Sequence, residues 1–282
     1  MTEHSKFTIV HLSDVHATIG ELLYGQVDGV ARLEQVGDYV AAAGVTPEAV
    51  VVTGDLAQRG HSAAYPAVNA ALRALGEKVG APVFTTLGNH DDARAARVLD
   101  GHGASHYRVV TVGETRIVLL DTSTGAIDDE QLHWLRSTVA EPFGAGTVIA
   151  LHHAPVPSPL PTLSKIGLRD PEEFAAAIEG SDARLILAGH YHHPMTALFH
   201  GLPVAVGPSL AYHQIMNAGP ETVSGHDLAM FSLVQITADQ VSTAPVSLQS
   251  PSPLFSTPVP TTASASASAS ASASALQPQR TP

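Results

Sequence analysis

Short apolar runs recur along the chain, and the residues interrupting them are the polar and turn-forming types that end strands and helices. Phe7 to Ser13 has the pattern of a strand, and Gly29 to Ala43 places Val30, Leu33, Val36 and Val40 at helical spacing before Gly44. Ala49 to Thr53 is a Val-rich strand run ending in Gly54-Asp55. Ser62 to Lys78 is again helical, with Gly80 and Pro82 breaking it before a strand at Val83 to Leu87. Tyr107 to Val112 and Arg116 to Leu120 flank Gly113-Glu114 as a hairpin would. Asp128 to Ala140 is a helix opened by acidic residues, and Thr147 to Leu151 is another strand. A helix at Pro171 to Glu179 precedes strands at Arg184 to Ala188, Ala197 to His200, Pro203 to Val206 and Met230 to Ile236. Strand–helix alternation that gives way to strands predicts a layered α/β or α+β sandwich.

Composition changes this picture at one end of the chain. From Pro251 onward Pro, Ser, Thr and Ala dominate, with Ala-Ser pairs repeating from Ala263 to Ala275. Without large apolar side chains such a stretch cannot offset the entropy of ordering, so residues 251–282 are expected to be a disordered extension of a domain over residues 1–250. The 282 residues are 44 % hydrophobic, enough for a substantial core. A net charge of −12, without any polybasic run, argues against nucleic acid or an anionic membrane surface as partner. The chain has no cysteine, which removes thiolate metal sites and cysteine nucleophiles. No apolar run reaches the ~18 residues of a membrane span, and Met1 to Lys6 do not open a signal peptide, so a cytoplasmic protein is expected.

Sixteen histidines are the compositional oddity, and their placement is informative. Asp14-Val15-His16, Gly54-Asp55, Gly88-Asn89-His90-Asp91, His152-His153 and Gly189-His190-Tyr191-His192 each follow an apolar strand-like run. In sheets built from strand–helix units, ligands bind beyond the carboxyl ends of the strands, so the five segments should converge on one edge. Carboxylate, amide oxygen and imidazole without sulfur suit Mn²⁺, Fe, Zn²⁺ or Mg²⁺, and using them all takes two ions. Asp14 and His16 are expected to alternate along an extended segment with Val15 turned inward, and the glycines at 54, 88 and 189 to keep Cβ atoms away from the ligands. Any one segment could be structural; five in order make a site.

Together these segments look like the full signature of the calcineurin-like metallophosphoesterases, over about residues 7–237. Leu151-His152-His153-Ala154-Pro155 and Gly207-Pro208-Ser209 further resemble its class III cyclic-nucleotide phosphodiesterase branch, including bacterial cyclic-AMP phosphodiesterases. The resemblance implies an α+β fold, a four-layer α/β/β/α sandwich, and two divalent ions, Fe and Mn before Zn or Mg. Asp14, His16, Asp55 and His192 would hold the first, Asp55, Asn89, His152 and His190 the second, with Asp55 bridging. His90 would lie over the substrate with Asn89, contacting phosphate or protonating the leaving alkoxide. His153 would serve as support or as part of the phosphate pocket, Asp91 would orient His90 or a ligand histidine, and a homodimer is implied.

The resulting expectation is hydrolysis of a cyclic nucleotide, 3′,5′-cyclic AMP foremost and 2′,3′-cyclic nucleotides as an alternative, by attack of a metal-bound hydroxide. Other phosphodiesters, phosphomonoesters and a non-catalytic metal-binding scaffold stay open, because pocket shape decides substrate. The walls expected for that pocket are the loops Ala17–Gly29, Pro155–Arg169 and Ala211–His226, where Tyr24, Tyr212 and His213 are candidates for contact with a base or sugar.

Overall fold

A computed structural model describes residues 6–249 and 251–257. In residues 6–249 the strands β1 (Phe7–Leu12), β2 (Ala49–Thr53) and β3 (Val83–Thr86) pair in parallel, joined by α1 (Gly29–Ala42) and α2 (Tyr65–Val79). A hairpin of β4 (Arg108–Val112) and β5 (Thr115–Leu119) starts the second half. α3 (Asp129–Thr138), β6 (Thr147–Ala150), α4 (Pro171–Ile178), β7 (Ala183–Ala188), β8 (Met195–Phe199) and β9 (Leu202–Val206) follow. A small ribbon of β10 (His213–Gln214) and β11 (Gly225–His226) precedes β12 (Met230–Ile236) and β13 (Val241–Ser247). One sheet has the order β13-β12-β1-β2-β3 and the other β4-β5-β6-β7-β9-β8, with β5, β6, β7 and β9 parallel.

The layer order follows from the period of two along the strands. In β1 and β2, Val10, Leu12, Val50 and Val52 pack on Leu33, Val36, Val68 and Leu72 of the first two helices, while Ile9 and Val51 face the other way. In β5 to β7, Val118, Ile149 and Ile186 meet Leu132, Leu135 and Phe174 of α3 and α4. Their alternate neighbours Ile117, Leu119, Val148, Leu185 and Leu187 join Ile9 and Val51 between the sheets. Strands buried on both faces explain why these runs read as continuous apolar stretches. The result is helix, sheet, sheet, helix, the expected α/β/β/α order.

Local chemistry sets the element ends. Asp28 caps α1 by accepting from Ala31 N–H at 3.0 Å, Asp128 caps α3 through Gln131 N–H at 2.8 Å, and Gly80 ends α2 at φ 71°. The helix expected over 62–78 divides into a 3₁₀ turn at Ser62–Ala64 followed by α2. β13 is a strand that the pattern did not predict. It carries Pro245 and small polar residues, and stands at a sheet edge, where proline's missing N–H costs no ladder bond. Residues 251–257 form a separate stretch without helix or strand, with Leu254 and Phe255 exposed. The rest of the expected disordered extension, residues 258–282 with the Ala-Ser repeat, lies outside the described residues.

Candidate metal centre

The five segments meet at the carboxyl ends of the parallel strands of both sheets. Asp14, Asp55 and Asn89 follow β1, β2 and β3; His152 follows β6, and His190 and His192 follow β7. Asp14, His16, Asp55 and His192, all buried, present donor atoms within 4.8 Å of one another, as do His152, His153 and His190. Asp55 joins the two groups, its Oδ2 standing 3.5 Å from both His16 Nε2 and His152 Nε2. His152 Nε2 lies 3.2 Å from Asn89 Oδ1 and from His190 Nδ1, and His192 Nε2 lies 3.2 Å from Asp14 Oδ1.

Backbone conformation differs from the expected extended Asp14-Val15-His16. β1 ends at Leu12, and Asp14 (φ 54°) and His16 (φ 47°) are left-handed, as are Asp55 (φ 50°), His190 (φ 76°) and His192 (φ 53°). Non-glycine residues hold that conformation only where their surroundings enforce it. Here Asp14 N–H donates to Gly54 O at 3.1 Å, His16 N–H to Asp55 O at 2.9 Å and Ala211 N–H to Asp14 O at 3.0 Å. Val15 is buried as expected. The three glycines are required chiefly for space: a Cβ on Gly88 would stand 2.3 Å from Asp55 Oδ1, and one on Gly189 1.8 Å from Ser13 Oγ. Only Gly54, at φ 82°, also needs glycine's freedom.

The hydrogen bonds fix which ring nitrogens carry lone pairs. His16 Nδ1–H donates to Gln58 Oε1 at 2.8 Å, His152 Nδ1–H to Thr53 O at 2.7 Å and His192 Nδ1–H to Tyr212 O at 3.1 Å. In each neutral ring the Nε2 lone pair then points inward. The Nε2 atoms of His16 and His192 face each other at 3.1 Å, and Asp14 Oδ1 is buried without a hydrogen-bond partner among the described residues. Facing lone pairs beside an orphaned carboxylate oxygen are mutually repulsive unless a cation lies between them, so these residues fit a metal. On His152 a proton competes for the place of a metal: burial opposes its charge, yet Asp55 overrides burial and pushes the imidazole up to about 9, so the site favours positive charge at Nε2. Burial likewise opposes the charge on Asp55, but neighbouring histidines, His152 first, hold it well below the usual carboxylate range.

A profile of the calcineurin-like phosphoesterase family matches residues 7–194. The chain belongs to that family. A probable cyclic nucleotide phosphodiesterase of Rhodococcus erythropolis is 39 % identical over 231 residues, 79 % of this chain and 77 % of its own. A Mycobacterium tuberculosis protein named a cAMP/cGMP dual specificity phosphodiesterase is 36 % identical, covering 85 % of this phosphoesterase and 79 % of itself. A 3′,5′-cyclic adenosine monophosphate phosphodiesterase of Pseudomonas aeruginosa is 31 % identical over 71 % and 75 %. In fold, the phosphoesterase is similar to a dimetal phosphatase from Danio rerio, with TM-score 0.58 and 14 % identity over 86 % of this chain and 96 % of that one.

Around the phosphoesterase centre, several supporting contacts were not legible in the sequence. Gln58 Oε1 accepts from His90 Nδ1–H at 3.0 Å as well as from His16. Thr122, just past β5, accepts His153 N–H at 3.1 Å and stands 3.1 Å from His153 Nδ1. The His153 ring lies tilted against that of His190, with centroids 4.4 Å apart, and burial drives its pKa down to about 2, so it stays neutral. Asp91 makes no hydrogen bond to a histidine among the described residues, contrary to expectation. It accepts from the N–H groups of Leu56, Ala57 and Gly88 and from Tyr65 OH, tying the loop after β2 to the loop after β3.

The centre opens into a cleft of about 480 Å³ lined by Asp55, Asn89, His90, His190, His192 and Tyr212, among others. Of the three candidate base-contacting residues only Tyr212 lines it; Tyr24 packs against the Tyr212 ring at 5.7 Å, and His213 is in contact with His226. The cleft walls come from the loops after β6 and β9, while the loop Ala17–Gly29 stands behind Tyr212. Larger cavities of about 580 and 630 Å³ lie against α4 and at the opposite end of the sheets, and neither gathers a metal-type cluster among the described residues.

Proposed function

We propose that this phosphoesterase hydrolyses cyclic nucleotides, 3′,5′-cyclic AMP foremost, with two divalent cations held by Asp14, His16, Asp55 and His192 and by Asp55, Asn89, His152 and His190. The observation that carries the proposal is Asp55 Oδ2, equidistant at 3.5 Å from one histidine of each donor group. Relatives named for this activity span most of the chain, which supports the substrate class. The oxygen and imidazole donors, without sulfur, favour Fe and Mn over softer metals, and metal analysis of purified protein tests that pair. A cytoplasmic location, which cell fractionation tests, and a homodimer, which light scattering tests, belong to the same proposal; no described helix is long and apolar enough to cross a membrane.

When bound, such a pair lowers the pKa of water and stabilises the attacking and leaving oxygens of an in-line displacement. The chain's own residues supply position and proton transfer. His90 donates its backbone N–H to Asp55 Oδ1 at 2.8 Å and its Nδ1–H to Gln58, leaving Nε2 free to face the phosphate. Burial holds His90 below its ordinary pKa in the free protein. An anionic phosphodiester beside Nε2 opposes that shift and favours the charged form, which can hand a proton to the departing ribose oxygen. The Asn89 amide, beside His152, offers N–H donors to a phosphate oxygen.

The test is turnover of bis-p-nitrophenyl phosphate, p-nitrophenyl phosphate, and 3′,5′- and 2′,3′-cyclic AMP by Mn²⁺-loaded protein, before and after chelation. Chelator-sensitive hydrolysis of the 3′,5′ isomer is expected. Preference for the 2′,3′ isomer or for the monoester would reject the substrate, and inactivity with every metal would reject catalysis.

A further inference from the structure

Gln214 carries an observation that phosphate chemistry does not use. It is only 3 % exposed, and the hydrogen bonds that involve it among the described residues are made by its backbone N–H and C=O. The residue lines both the metal-centre cleft and an adjoining cavity of about 270 Å³ between the loops after β6 and β9. Its amide is not among the fully buried polar atoms left without a partner, so it keeps access to the two cavities it lines, where water or a ligand satisfies its donors and acceptor. Its backbone is fixed: Gln214 N–H donates to His192 O at 2.8 Å, and the residue lies in the β10–β11 ribbon opposite Gly225. A group next to a metal-ligand candidate and held on paired strands is positioned to read whatever is attached to the phosphate.

The surrounding walls suit a planar apolar body. Leu163 and Ile166 line the cleft from one loop and Val223 from another, Ile166 and Val223 being large apolar side chains left open to solvent. Thr162 sits with Gln214 where the two cavities join. The 480 Å³ of the cleft lies within the range of roughly 300–1,000 Å³ that small-molecule sites occupy.

We propose that Gln214, between the apolar side chains of Leu163, Ile166 and Val223, forms a nucleobase subsite that reads the polar edge of a purine. This rests on the cyclic-nucleotide reading above. One amide presents an acceptor beside donors, which matches adenine's adjacent amino group and ring nitrogen. Rotation of the amide by half a turn exchanges donor and acceptor and matches guanine's carbonyl and ring N–H, so the subsite accepts both purines.

The experiment compares wild type, Gln214→Leu and Gln214→Glu, all Mn²⁺-loaded and matched in melting temperature, on 3′,5′-cyclic AMP, 3′,5′-cyclic GMP and bis-p-nitrophenyl phosphate, which has no base. For Gln214→Leu the ratio of kcat/KM for cyclic AMP to that for the base-free diester should fall about tenfold, mainly through KM, as expected for one lost hydrogen bond. Gln214→Glu, an acceptor only, should shift preference toward cyclic GMP, whose ring N–H and amino group both donate. Equal losses on all three substrates would make Gln214 merely structural, and an unchanged ratio with unchanged purine preference would remove the subsite. A wild type that cleaves the base-free diester but neither cyclic nucleotide would instead fail the substrate reading, and the subsite with it.

Discussion

Gln58 is the residue whose removal most sharply tests the proposed division of labour. One oxygen, Oε1, accepts from His16 Nδ1–H at 2.8 Å and from His90 Nδ1–H at 3.0 Å, and the two rings meet edge to face at 4.7 Å. Gln58→Leu preserves bulk and deletes the shared acceptor, leaving two donors unmet. On the His16 side, losing the contact that orients a ligand imidazole typically costs about 10–100-fold in metal affinity. On the His90 side, losing one net hydrogen bond of about 1 kcal/mol permits the ring to turn, which corresponds to a several-fold fall in kcat. Metal affinity is read by calorimetric titration of Mn²⁺ into the metal-free protein, and kcat at saturating metal. The fall in kcat should be larger for cyclic AMP, whose ribose oxygen needs a proton to leave, than for bis-p-nitrophenyl phosphate, whose leaving group departs as an anion. Gln58→Glu keeps the acceptor and should restore metal affinity. Wild-type Mn²⁺ affinity in Gln58→Leu, or equal losses on the two substrates, would refute the reasoning.

Three further outcomes follow from the same geometry. Gly88→Ala forces a Cβ to within 2.3 Å of Asp55 Oδ1 and should weaken Mn²⁺ binding by at least about tenfold with an unchanged far-ultraviolet spectrum; wild-type affinity would show that the loop yields freely. Arg116, buried beside α3 with its guanidinium 2.7 Å from Asp182 Oδ1 and 2.7 Å from Thr147 Oγ1, ties the ends of β5, β6 and β7 together. Arg116→Ala should cost about 3–5 kcal/mol in urea unfolding, and a loss under about 1 kcal/mol would contradict that role. His102 is buried against Thr85, and burial lowers its pKa from 6.5 to about 3. Its contribution is complete above about pH 6.5 and shrinks as the unfolded chain takes up the proton that the fold refuses. His102→Gln should therefore lose about 2 kcal/mol less stability than wild type between about pH 7 and about pH 5; parallel pH curves would refute this.

The layers and the clustering of Asp14, His16, Asp55, Asn89, His152, His190 and His192 were legible because ligand types followed apolar runs, and parallel strands carry whatever follows them to one edge. The backbone of the ligand loops was not. A left-handed Asp or His looks the same in sequence as an extended one, and only the cross-links from Gly54, Asp55 and Ala211 impose it. Gln58 and Gln214 were missed because a glutamine carries no charge or periodic signal, and its role depends on which imidazole or cavity the fold brings beside it. Asp91 misled for the opposite reason: next to His90 in sequence, its carboxylate turns back to backbone N–H groups of the preceding loop. The edge strand β13 was hidden by Pro245, which is tolerable only at a border that sequence alone does not mark.

The donor atoms hang from two different sheets, Asp14, Asp55 and Asn89 from one and His152, His190 and His192 from the other, and they are scattered across most of the domain's sequence. No short segment can assemble the cradle, so a cation finds its full set of donors only after both sheets have formed and closed on Ile9, Val51, Ile117 and Leu187. Cations bound there would act as a clasp on the finished sandwich. Their withdrawal should shorten the lifetime of the native state, seen as faster unfolding in urea with chelator, and leave the refolding rate where the apolar interlayer sets it.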